Sequence, residues 1–321
     1  MPVITVRNRA TSIINDFIKT NNICGKFLIP ANICPIIPLV FLKNNIKIKF
    51  IDINLKDLDM DKKLVLENVK QFDGMLWNNS YGKEVDNSSF FKKCKTKKKQ
   101  FFIIDDKCLS KPKLSFKKSI SSDLELYSTG YSKYCDLGLG GYALSKKKIK
   151  FHPTIYNKNL YDKIIKKFNY SINHKKIFSS KKNNWLESSN GIAIKEYFLN
   201  IKEYKKKIKV HKKNINYIYN KILPNEIKID NKLNNWRYNV LVSQRKILIK
   251  KIFKANLFAS THYYPSSKIF QNIKMKNSDY IGNNIVNLFN DLRFDEKMAK
   301  KTALIIKQHF DKFGPLKKIK I

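Results

Sequence analysis

Apolar residues at Ile13, Ile14, Phe17 and Ile18 recur at helical spacing, behind the polar stretch Arg7-Asn8-Arg9-Ala10. An amphipathic helix is predicted there. Residues 26–29 read as a strand stopped by Pro30, 36–42 as an apolar helix, and 46–51 as a strand of alternating polarity ending at Asp52. Residues 61–69 are predicted helical, 74–77 a strand, 88–94 a short helix, and 101–104 a strand ending in Asp105 and Asp106. The next strand passes through Leu124 and Leu126 to a polar turn, and a glycine-rich return leads into another. Strands and helices that alternate with short links imply βα units and a mostly parallel sheet. The tips after Ile29, Trp77, Ile104 and Leu126 should then share one edge, where such sheets bind ligands.

Residues 156–222 read as helical, with a break between 183 and 190. From Asn235 the pattern changes. Residues 236–242 form a predicted strand that carries Arg237, 244–255 a helix, and 257–265 a strand running into a polar aromatic loop with His262. A short strand at 285–289 and a helix at 295–310 close the chain. The expected organisation is a large α/β unit over 1–222, including the helical segment from 156, and a smaller C-terminal α+β unit over 223–321.

The chain of 321 residues is 43% hydrophobic, which supports a folded core. No apolar run approaches the ~20 residues a membrane helix needs, and the start at Met1 shows no basic region followed by an apolar stretch. The five cysteines lack metal-ligand spacing, and the five histidines are scattered, so no metal site is expected. Free thiols fit a reducing cytoplasm. The net charge of +40 invites a polyanion-binding reading. Against it, the only arginines are Arg7, Arg9, Arg237, Arg245 and Arg293, so the arginine forks that read nucleic acid are scarce. Lysine runs such as 97–99 and 205–207 are expected to be solvated faces, and specific nucleic-acid binding is not expected.

One lysine differs from the rest. Lys133 is the only lysine between Lys118 and Lys146, in a window of aromatic, small and apolar residues. A strand tip bearing Asp105 and Asp106, followed by one bearing Ser128 and Lys133, supplies what a pyridoxal phosphate (PLP) site needs. The parts are an amine for the Schiff base, a carboxylate for the pyridine nitrogen and a hydroxyl for the phosphate. The polar start of the first helix offers amides to the same anion.

Asp106, then Tyr127-Ser128-Thr129-Gly130-Tyr131-Ser132-Lys133, then Gly140-Gly141-Tyr142-Ala143, resembles the DegT/DnrJ/EryC1/StrS aminotransferases. Weaker matches occur in order at Leu28-Ile29-Pro30-Ala31, Asn79-Ser80-Tyr81-Gly82 and Thr261-His262-Tyr263-Tyr264-Pro265. The resemblance implies an α/β protein: a three-layer fold-type-I PLP-transferase large domain with a mostly parallel sheet, and a smaller C-terminal α+β domain. It implies that Lys133 forms the Schiff base and moves the proton, and that Asp106, with Asp105 as the alternative, keeps the pyridine nitrogen protonated. Ser128 and the amides of Asn8, Arg9 and Ala10 would hold the phosphate. His262, Tyr81 and Arg237 are the substrate-side candidates. The sequence departs from the family at Asn8-Arg9, where Gly-Thr or Gly-Ser is common, at Asn32-Ile33, where an aromatic commonly stacks on the ring, and at Leu109, where Gln or His is common. Asn183 or Asn184 would supply the phosphate contact made across subunits.

The expected activity is amino transfer, with glutamate as donor and a keto acceptor that can be a nucleotide-linked keto sugar, by a cytoplasmic homodimer. The alternatives are a PLP-dependent lyase or dehydratase, or an inactive relative, on the same fold; a basic polyanion-binding protein comes after these.

Overall fold

The structure, a computed structural model, describes residues 1–116, 120–179, 184–189 and 191–316. Its first half contains β1 (Val3–Arg7), α1 (Ala10–Thr20), β2 (Lys26–Pro30), α2 (Ile36–Lys43), β3 (Lys47–Ile51), α3 (Lys62–Asn68), β4 (Gly74–Asn78), α4 (Ser88–Lys97), β5 (Phe102–Asp106), β6 (Leu124–Ser128) and β7 (Gly141–Ser145). Two helices follow, α5 (Lys158–His174) and α6 (Ile194–Ile222). The remainder comprises β8 (Tyr238–Leu241), α7 (Arg245–Lys254), β9 (Ala259–Ser260), α8 (Ser266–Gln271), α9 (Lys276–Asn284), β10 (Ile285–Leu288) and α10 (Glu296–Phe313).

Seven strands form one sheet in the order β1-β7-β6-β5-β4-β2-β3. The pairs β3–β2, β2–β4, β4–β5 and β5–β6 are parallel, whereas β7 runs antiparallel to both β6 and β1. Two reversals bring β1 back parallel to β6. The carboxyl ends of β1, β2, β4, β5 and β6 therefore meet on one edge, with the loop between β6 and β7. This mostly parallel architecture agrees with the reading from hydrophobic periodicity. β1 is an element that reading missed; β7 supplies its register from Val3↔Ser145 to Arg7↔Gly141.

Period-two alternation sorts the strand side chains onto two faces. Phe27, Leu76, Ile104 and Leu126 pack with Ile13, Ile14 and Phe17 of α1 and Phe41 of α2. Their neighbours Leu28, Met75, Trp77 and Ile103 pack with Phe90, Phe91 and Cys94 of α4 on the other face. The helices begin at recognisable caps: Asp61 accepts from the Lys63 and Leu64 amides, and Asp295 from the Met298 amide.

A second sheet, β8-β10-β9, is antiparallel and covered by α7, α10 and the end of α6. The predicted strand over 236–242 is shorter than expected, so Arg237 precedes β8 instead of lying within it. The strand expected over 257–265 shrinks to Ala259–Ser260, and the chain turns after Pro265 into α8. The 29-residue α6 joins both cores: Tyr197, Ile201 and Ile208 pack beside β7, and Ile215 and Tyr219 under the second sheet.

Gly141 lets α1 begin against the sheet edge. A Cβ added there would lie 2.6 Å from the Cα and the amide nitrogen of Ala10, backbone atoms that cannot swing aside. Gly141→Ala should cost about 1–3 kcal/mol, as other overpacked sites do. The check is a lowered midpoint of thermal unfolding; an unchanged midpoint would show that the start of α1 yields freely.

Candidate functional site

A cavity of about 690 Å³ opens at the sheet edge where these carboxyl ends meet. Asn8, Arg9 and Ala10 reach it from the β1–α1 junction, Asp106 from the end of β5, Ser128 from the end of β6, and Lys133 from the loop before β7. All six residues singled out for an amine, a carboxylate and a phosphate cradle thus line one cavity.

The loop that carries Lys133 is cinched at its base. The Thr129 amide donates to Gly140 O (3.0 Å), the Gly140 amide to Asn8 O (2.8 Å), and the Leu137 amide to Thr129 O (2.8 Å). The Thr129 hydroxyl donates to Leu139 O (2.7 Å) and lies 2.6 Å from Tyr197 OH. Gly140 has φ +96°, and a Cβ there would strike Tyr197 and Thr129, so this turn requires glycine. Ser128 Oγ accepts from the Gly130 amide at 3.3 Å. Opposite it, α1 starts with no side-chain cap and no acid in its first turn. The first amides of a helix have no i−4 acceptor; that of Ser12 donates to Arg9 O (3.1 Å), and those nearer the start are left for an anion.

Strand parity separates the two aspartates. Asp106 shares the face of Ile104 and lines the cavity, where its Oδ1 accepts from the Cys108 amide (2.9 Å). Asp105 points to the opposite face. There Asn79 Nδ2 donates to its Oδ1 (2.6 Å), and Lys107 Nζ lies 3.1 Å from its Oδ2 and 3.2 Å from Glu125. Burial raises the pKa of Asp106; hydrogen bonds from Cys108 and the charge of Lys133 oppose that shift. Among the described residues Lys133 Nζ makes no ion pair within 4.0 Å, which leaves the amine uncommitted. Lys133 is partly buried, less enclosed than its apolar sequence window implied.

The three substrate-side candidates do not line this cavity. Tyr81 is buried and its hydroxyl donates to His262 O (3.0 Å), so it clips the β4 tip to the loop after β9. His262 is exposed, and its ring lies edge-on to the rings of Trp236 and Tyr263. Its neighbour Tyr263 is the residue of that loop that reaches the cavity. Arg237 is buried with its guanidinium 3.7 Å from the Phe289 ring centre and 4.5 Å from that of Trp236, and it donates to Ser260 Oγ. It is therefore not a surface salt bridge, and among the described residues it pairs with no carboxylate within 4.0 Å.

Sequence reasoning missed Cys108 as a partner of Asp106 and Tyr263, Tyr161 and Trp185 as parts of the wall. Cys108 follows Asp106 by two residues, the spacing of an Asx turn, and that signal was present. At the first-strand loop Ile33 and Cys34 line the cavity, and Asn32 does not. Leu109 does line it. Of the two asparagines considered for a phosphate contact across subunits, Asn183 lies outside the described residues. Asn184 holds the Asn157 amide through its backbone oxygen (2.8 Å).

No family model matches the sequence, and no curated protein matches it. Solved structures do. The chain is similar to a sugar aminotransferase from Streptococcus pneumoniae in its PMP form, with TM-score 0.73 and 14% identity over 97% of this chain and 88% of that one. It is similar to a DegT DnrJ EryC1 StrS aminotransferase from Brucella abortus, with TM-score 0.67 and 12% identity over 95% and 86%. It is also similar to the E. coli GDP-4-keto-6-deoxy-D-mannose-3-dehydratase with bound hydrated PLP, with TM-score 0.63 and 16% identity over 95% and 87%. At such low identity the likeness concerns architecture, and the chain has the fold-type-I architecture of these PLP-dependent enzymes.

Proposed function

We propose that this chain is a PLP-dependent aminotransferase that passes an amino group from a donor such as glutamate to a keto acceptor of the sugar class. The observation that carries the reading is the convergence of Lys133, Asp106, Ser128 and the start of α1 on one cavity. The donor set fits the cofactor. It holds an uncommitted amine, a buried carboxylate on the same face, and, across from them, a hydroxyl beside free helix amides. The carboxylate keeps an acceptor oxygen to spare, since Oδ1 takes the Cys108 amide.

Lys133 Nζ would hold the cofactor covalently and, once released, carry a proton between the two reacting carbons. Asp106 would accept the pyridine N–H and, by its charge, keep that nitrogen protonated. Ser128 Oγ and the first amides of α1 would bind the phosphate. Bound PLP supplies an electron sink for the carbon that loses its proton. Tyr263 and the apolar wall of Ile36, Ile164 and Trp185 would keep water from the reacting atoms. Arg237, which among the described residues makes no ion pair within 4.0 Å, is the group we assign to an acidic part of the substrate, and His262 and Tyr81 shape the loop beside it. Sugar substrates and glutamate rest on the resemblance of the Lys133 loop and on what the similar structures are said to be. The expected assembly is a homodimer in the cytoplasm, and 1–222 with 223–321 is the proposed division.

Two predictions follow from these roles. Protein incubated with PLP should turn yellow, and Lys133→Ala should stay colourless. Glutamate should bleach the colour and a keto acid restore it. Wild-type protein that takes up no PLP would sink the reading; retained PLP that no amino donor bleaches would favour dehydration on the same fold.

The second concerns Asp106. Its folded pKa lies above the unfolded value of about 3.9, so the folded chain holds that proton longer and stability falls as pH rises through this window. Asp106→Asn removes the decline. Its urea midpoint at about pH 7 should equal or exceed that of the wild type, whereas the two curves should converge near about pH 4. PLP retention should be lost in the same variant. A midpoint well below the wild type at neutral pH would mean that the carboxylate serves the fold.

A further inference from the structure

Lys212 lies on the inner face of α6 and is 6% exposed. Its Nζ donates to Trp236 O (2.6 Å) and Asn290 Oδ1 (2.5 Å) and sits 5.2 Å from the Tyr134 ring centre. Trp236 passes the connection on, because its indole Nε1 donates to Ser132 O at 2.5 Å. Ser132 immediately precedes Lys133 and has φ +59°, in the left-handed region. Its amide is also spoken for: it donates to Asp136 Oδ2 (2.8 Å), and Arg293, beyond the second sheet, lies 2.9 Å from that same oxygen. Both backbone polar groups of Ser132 are thus gripped, one of them directly from Trp236.

A non-glycine residue stays left-handed only where its surroundings over-determine it. A buried ammonium that makes no ion pair within 4.0 Å among the described residues is costly as well, and for Lys212 burial outweighs the charge of Asp291. Both features meet beside Lys133.

We propose that Lys212 and Trp236 are positioning residues that act on Lys133 through Ser132: they hold the turn so that the Lys133 amine faces the cavity. The assignment rests on the reading of Lys133 as the reactive amine, but the pinning of its turn can be tested with no cofactor present.

Trp236→Phe keeps an aromatic ring beside Arg237 and deletes the indole N–H together with part of a buried ring; Lys212→Met keeps the length and deletes the donors. Lys133 in the cofactor-free protein is acetylated with a small reagent, and its rate is read by peptide mass spectrometry against the other lysines. Loss of one hydrogen bond should free the turn and speed acetylation of Lys133 by about fivefold in either variant, with the other lysines unchanged. Borohydride-trapped PLP on Lys133 should fall by a similar factor. Ile306→Val in α10, a buried change with none of these contacts, controls for lost stability and should alter neither readout. A folded Trp236→Phe protein whose Lys133 reacts at the wild-type rate would overturn the proposal, whether or not Lys212→Met folds. Wild-type protein that takes up no PLP would defeat the functional reading alone, since the acetylation comparison stands without it.

Discussion

The site depends on a carboxylate withdrawn from water at the end of β5. An isolated ionised acid in such a place is strongly disfavoured. Asp106 is tolerated because the Cys108 amide donates to it and an ammonium faces the same cavity. Neither neutralises it fully, and burial remains the largest influence on its proton. That residual imbalance is what a cationic ligand nitrogen would relieve. A site whose charge is underpaired without its ligand binds that ligand more firmly than one whose charges are already matched.

Several other buried charges are matched internally, unlike those of Lys212 and Arg237. Arg7 meets Asp16 at 2.8 Å, Lys83 meets Asp59 at 2.5 Å, and Lys107 lies between Asp105 and Glu125. These buried acids sit where a cation is also withdrawn from water, while most lysines face solvent. The net charge of +40 is therefore mainly a property of the surface. It would draw polyanions weakly and in a salt-dependent way, and it says little about the interior. A second basic hollow, around Lys83, Lys107, Lys113 and Lys205, illustrates the point. Each of these amines already has an oxygen of the chain as partner, so charge density alone does not make a site there.

Much of this arrangement was legible in the sequence, for a physical reason. Parallel strands must be buried on both faces, so each reads as an apolar run with a polar tip, and such tips fall on one edge. The tips at Asp106 and Ser128 could be read in that way. The choice between Asp105 and Asp106 was also encoded, because Asp106 continues the parity of Ile104; seeing it required knowing which face α1 would cover. What could not be read were contacts between distant parts of the chain: β1 against β7, Tyr263 at the cavity wall, and Trp236 against Ser132. Each joins segments far apart in the chain, which a local pattern does not bring together. The shrunken strand at Ala259–Ser260 has the same origin, since its apolar and aromatic residues serve the loop that follows more than the sheet.

The two cores are joined through contacts that converge near Lys133. α6 runs through both, so the second sheet is anchored to the helix that also packs Tyr197 against the Thr129 turn. Trp236, just before β8, donates its amide to Tyr81 O (3.1 Å) and its indole N–H to Ser132 O. Tyr81 in turn holds the His262 carbonyl. A shift of the second sheet relative to the first would therefore move the loop before β7, the β4 tip and the loop after β9 together. Packed interiors do not deform continuously, so such a coupling keeps the cavity in one shape instead of grading it. A carboxylate bound near Arg237 would act on the same group of contacts, through the ring of Trp236 on which that guanidinium rests. The residues that recognise a substrate and those that aim the amine would then be mechanically one unit, although only some of them touch the cavity.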